Sequence, residues 1–141
     1  MTQSAISSAA TPARAGKAAN IALWVVQIVL ALAFLGASSG KLLGKPEMVG
    51  LFEAIGIGQW LRYVTGLLEA TGAVLIVVPR TKAFGAVLLG MVMIGAVLTH
   101  LVILHNAPTA AGVLLILAGI VAWGRRGELK EALARLGLVK S

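Results

Sequence analysis

Lys41, Arg62, Glu69 and His100, with Tyr63 beside Arg62, are the side chains of this sequence that could do chemistry in an apolar setting. Glu69 interrupts the otherwise apolar stretch Leu67 to Val78, seven residues after Arg62. A charge at bilayer depth costs about 2.5 to 3.5 kcal/mol on insertion scales, so a membrane helix carries one where it has a partner or a task. Arg62, Gly66, Glu69 and Ala73 follow i, i+4, i+7 and i+11, which is one narrow stripe of a helix. Their arrangement sets the Cα atoms of Arg62 and Glu69 about 10 Å apart along the axis, within the joint reach of two long side chains or of both through a third group. Lys41, Arg62, His100 and Tyr63 can donate hydrogen bonds to a carbonyl oxygen, and Glu69 or His100 can exchange a proton with it. Two readings of Glu69 follow. It faces a ligand, or it is a structural carboxylate that pairs with Lys41 or Arg62 and holds two helices in register.

Several other chemistries are excluded. Cysteine is absent, which removes disulfides, a thiol relay, a thiolate nucleophile and iron–sulfur ligation. His100 and His105 are five residues apart on or near one helix, the wrong geometry for two axial haem ligands, and with no Asp in the chain a metal site is not expected. Ser38 and Ser39 lie near Lys41 without an oxyanion-hole signal, so no self-contained catalytic set is expected. Any redox chemistry requires a bound cofactor or another subunit.

The elements that position these groups are membrane helices. Hydrophobic residues make up 59% of the 141 positions and charged residues 12%, against about 25% charged in an ordinary soluble domain. Ile21 to Gly40 forms a first span of twenty residues, about 30 Å as helix and enough to cross a hydrocarbon core. It is longer than a signal-peptide core, so it is expected to stay in the protein although Arg14 and Lys17 resemble an n-region. Further spans are expected at about 61–78, 83–104 and 107–123. The short connections after the second and third spans force antiparallel neighbours, and the expected fold is an all-α, integral membrane, four-helix up-and-down bundle. Gly36, Gly40 and Gly44, and Gly112 and Gly119, are spaced to let backbones approach. Between the first two spans, Pro46 opens a short interfacial helix with Met48, Leu51, Phe52 and Ile55 on one face, a cap over the bundle. Residues 20–124 form the membrane domain, between a disordered tail at 1–19 and a basic amphipathic tail at 125–141.

Charge sets the orientation. Nine Lys and Arg residues lie in the two tails and the Arg80 to Lys82 turn, and only Lys41, Lys45 and Arg62 lie on the opposite side. The positive-inside rule makes both termini cytoplasmic, in a cell inner membrane. The net charge of +7 is then a topology and lipid-surface signal, with nucleic acid a poor explanation. Leu129, Leu133 and Leu136 among Arg126, Lys130 and Arg135 suit a helix lying on an anionic leaflet or docked on a partner. Trp24, Trp60 and Trp123 fit interfacial belts, as does Tyr63. Lys41, Arg62, Glu69 and His100 all fall toward the outer face, where they could converge on one pocket. Lys41 and Arg62 could equally snorkel to the interface, and His100 could be a satisfied helix-end histidine.

The run Ser39-Gly40-Lys41-Leu42, then Phe52, Gly56, Arg62, Gly66, Glu69 and Gly72, and finally Gly95-Ala96 with Thr99-His100-Leu101, resembles the DoxX-like family of small four-helix membrane proteins, over about Leu32 to Trp123. The family takes its name from a subunit of a membrane thiosulfate:quinone oxidoreductase, and other members are linked to redox stress or to defence against reactive quinones. The resemblance implies a quinone-linked membrane subunit, and Lys41, Arg62, Tyr63, Glu69 and His100 are the residues expected to bind a quinone-like or other small amphipathic molecule in the outer half of the bundle. A redox partner subunit and a homo-oligomer are compatible with it. The competing expectation is a proton-coupled carrier of a small solute, or a scaffold that anchors a redox partner.

Overall fold

The computed structural model describes residues 16–139, so residues 1–15 of the expected N-terminal tail, together with Lys140 and Ser141, lie outside the described residues. All the described elements are helices: α1 (Lys17–Leu42), α2 (Pro46–Ile55), α3 (Trp60–Val77), α4 (Lys82–Val102), α5 (Thr109–Gly124) and α6 (Arg126–Arg135). α1 starts at Lys17 instead of Ile21, because Ala18 and Ala19 are good helix formers and the side chain of Asn20 is held by Arg125. α2 has Pro46 in its first turn, where a missing N–H costs nothing, and stops on Gly56 at φ 79°.

α1, α3 and α4 are each long and apolar enough to cross a membrane; α5 adds a fourth crossing if it is joined to α6, from which it bends by 63°. Alone, the 16 residues of α5 reach only about 24 Å. Leu32, Ile94 and Ile116 lie exposed on α1, α4 and α5, the pattern of helices whose outer faces meet lipid. The chain is an all-helical membrane protein.

Leu30, Phe34, Ile76, Leu89 and Val121 fill the core between the long helices. Lys41, late in α1, meets Glu69 in α3, while Gln27, early in α1, meets Ile76 near the end of α3, so the two helices run antiparallel. α3 and α4 touch backbone to backbone, since a Cβ on Gly85 would stand 2.4 Å from the Ile76 nitrogen. The glycines that bring helices together are Gly66, Gly72, Gly85 and Gly124; Gly36, Gly112 and Gly119, whose spacing suggested that role, have nothing within 4 Å. Regular spacing marks a helix face without saying what the face meets.

A buried polar node closes the end that carries α6. The α3 helix stops before Pro79, which leaves the Ile76 carbonyl without a helical donor, and Gln27 Nε2 donates to it at 2.7 Å. Arg125, 4% exposed, donates from Nε to Gln27 Oε1 at 3.0 Å and from Nη1 to Asn20 Oδ1 at 2.7 Å. Glu128 joins both Arg125, at 3.5 Å, and Lys82, at 3.2 Å.

A candidate ligand cavity beneath α2

Toward the opposite end the helices enclose a cavity of about 460 Å³. Phe34 and Lys41 of α1, Glu69 of α3, His100 of α4 and Leu114 of α5 contribute to its wall. α2 forms the roof with Met48, Leu51, Phe52 and Ile55, the apolar face that the sequence pattern defines. Glu47 and Glu53 lie exposed on the other side of that helix.

Glu69 and Lys41 form the polar centre. Lys41 Nζ donates to Glu69 Oε1 at 3.1 Å and to Oε2 at 2.9 Å, with 14% of the Lys41 side chain and 3% of Glu69 exposed. Gly66, one turn before Glu69, makes this approach feasible: a Cβ there would lie 3.2 Å from Lys41 Cβ and 3.1 Å from Leu42 Cγ. An ammonium has three N–H groups, so two on the carboxylate leave one to donate elsewhere. Of the two sequence readings of Glu69, the ion pair is present and its partner is Lys41. The pair also lines the cavity, so the two readings are compatible.

Arg62 is buried but does not line the cavity. Its Nη1 donates to the Lys41 carbonyl at the end of α1, its Nε donates to Gln59 Oε1 at 2.8 Å, and its side chain packs against Gly44. Gln59 passes the connection on, donating from Nε2 to the Val49 carbonyl of α2 at 3.1 Å. Arg62 therefore ties together the C-terminal turn of α1, the start of α3 and the roof helix. Tyr63 is exposed and also outside the cavity wall, its ring 4.4 Å from the Arg62 guanidinium.

His100, on α4, also lines the cavity. Its Nδ1 is 2.7 Å from Asn106 Oδ1. With that oxygen as acceptor Nδ1 carries the proton, which leaves Nε2 of the neutral ring as an acceptor. His105, at φ 51°, is an exposed turn residue. Lys41, Glu69 and His100 thus share one cavity, and Arg62 and Tyr63 stand behind it.

Sequence reasoning passed over Gln59, whose signal was an amide three residues before a buried arginine. It also passed over a methionine bias: Met48, Met91 and Met93 all line the cavity, and the chain has only four methionines. Thioethers are polarizable and pack favourably on aromatic or conjugated rings.

A comparison with known families matches residues 25–124 to the DoxX-like family. The chain belongs to the DoxX-like family. The matched range holds the whole cavity and stops just before Arg125, so the polar node at the α6 end draws on residues of this DoxX-like chain beyond the family match. No curated protein and no solved structure gave a significant match.

Proposed function

We propose that this DoxX-like protein is a quinone-linked subunit of the cell inner membrane, which binds a quinone-like amphipathic molecule in the cavity beneath α2. In this reading α1, α3, α4 and α5 form a four-helix up-and-down bundle with both termini cytoplasmic and α2 at the outer surface, as the distribution of Lys and Arg favours. A redox partner subunit would complete the activity, as the sequence offers no recognisable self-contained catalytic set.

The observation that carries the reading is the Lys41–Glu69 pair, with His100, set in a mostly apolar wall. About 460 Å³ suits a substituted ring and falls within the usual range of small-molecule sites. Phe34, Phe52 and the three methionines suit the faces of such a ring. A quinone supplies two-electron, two-proton chemistry when bound. Lys41 would hold one carbonyl oxygen with its third N–H, while Glu69 keeps the ammonium neutralised at depth. His100 Nε2, on α4, would take or return a proton at the ring's other oxygen. Arg62 would act at one remove, by fixing the backbone that carries Lys41.

Purification from membranes in mild detergent, followed by solvent extraction and a redox difference spectrum, tests this. The wild type is expected to retain a quinone, and Lys41→Met and His100→Leu to lose it while remaining folded. A wild type that carries none, and takes up none on addition, would sink the reading.

A further inference from the structure

The cavity is not sealed on all sides. Its wall includes Leu68, 38% exposed, and Met91, 64% exposed. Gly95 also lines it, is itself exposed, and would present a Cβ to open space. Leu68 lies on α3, while Met91 and Gly95 lie on α4, so these three exposed wall residues flank the seam between the two helices; Ala110 of α5 is exposed on the wall as well. Toward α6 that seam is tight, with Gly85 against Ile76 and Gly72 against Leu89. Toward α2 it is flanked by Thr65, Leu68, Met91 and Gly95. Thr65 turns its hydroxyl back onto the Leu61 carbonyl at 2.9 Å, which spends its polar group within α3. Both helices are long and apolar enough to cross a membrane, so a gap at this depth opens onto acyl chains, and α2 covers the end of the cavity.

Resting on the reading of the cavity as a binding site, we infer that its ligand is a tailed amphiphile seated with its polar head at Lys41–Glu69 and its hydrocarbon chain leaving between α3 and α4, past Leu68, Met91 and Gly95, into the bilayer. A long prenyl or acyl chain cannot fit in the cavity beside a ring and needs such an exit. A small water-borne solute has no use for an apolar side window.

The test compares two ligands and one plug. Binding of a decyl-substituted benzoquinone and of its tailless parent is measured for the protein in lipid nanodiscs, with affinities referred to the concentration in the lipid. The wild type is expected to bind both forms alike, because the tail stays in hydrocarbon. Gly95→Trp, whose added side chain meets no neighbouring atom at Cβ, is expected to weaken the decyl form by about tenfold or more relative to the parent, as overpacking of a filled space does. Met91→Trp should lower the same ratio of decyl to parent affinity, although Met91 also faces the ring and the parent weakens with it. A wild type that rejects the decyl form, or tail tolerance unaltered in both variants, overturns the window and leaves the cavity standing. Failure of either quinone to bind the wild type overturns instead the reading on which the window rests.

Discussion

Lys41 and Glu69 share one ion pair unequally, because Glu69 is the deeper partner and Lys41 has a long stem that can reach toward the interface. Lys41→Met strands a buried carboxylate and is expected to cost about 3 to 5 kcal/mol. Glu69→Gln is expected to cost less, since the released ammonium can turn outward, and Lys41→Met combined with Glu69→Leu should recover most of the loss. Thermal unfolding of the purified variants checks the order. The pairing was half legible in the sequence: the helical stripe put Glu69 on a buried face but offered Arg62 and Lys41 equally as partners. The choice is made by Gly66, which admits the end of α1, and by the Lys41 carbonyl, which takes the Arg62 guanidinium for itself. Arg125 was less legible. It reads as the first residue of a basic tail, yet it is buried, because its acceptors Gln27 and Asn20 lie at the far end of the chain. A lone Gln in an apolar helix was the available sign of a buried donor.

At the scale of elements, the long helices were readable from composition alone, and the roof helix from Pro46 and the spacing of its four apolar residues. What each glycine touches was not, since a glycine carries no side chain to advertise its neighbour. Gly85→Ala should therefore push α4 off α3 and cost about 1 to 3 kcal/mol, while Gly112→Ala, with open space around it, should be neutral or stabilise by up to about 1 kcal/mol through helix propensity. Unfolding midpoints of the two variants give the comparison. α2 is bounded by Gly44 at φ 70° and Gly56 at φ 79°, and the relay from Arg62 through Gln59 to Val49 ties its side of the cavity to α3. Arg62→Ala removes charged hydrogen bonds of about 1.5 to 3 kcal/mol each. Amide exchange across residues 46–55 should rise in that variant and stay near wild type at the α6 end.

For the whole molecule, the two polar centres sit at opposite ends of an apolar middle and should fail separately. Arg125→Leu leaves Gln27 Oε1 and Asn20 Oδ1 without their donor and is expected to loosen α6 and the start of α1, with little effect on the cavity; amide exchange and quinone retention measure the two ends independently. The absence of cysteine, which excludes so much chemistry, also makes the orientation simple to test. Single cysteines at Glu53 and Glu131 are expected to react with an impermeant label from opposite faces of the membrane, Glu53 from outside. The tryptophans divide between the ends in the same way. Trp24 lies below Lys82 and Arg125 at 5.3 and 5.8 Å and Trp123 below Arg126 at 4.4 Å, all at the α6 end, whereas Trp60 begins α3 with no such cation over it among the described residues. Indole emission responds to nearby charge, so the protein carries its own optical gauge: with Trp60 replaced by Phe the fluorescence follows the node, and with Trp24 and Trp123 replaced it follows the start of α3.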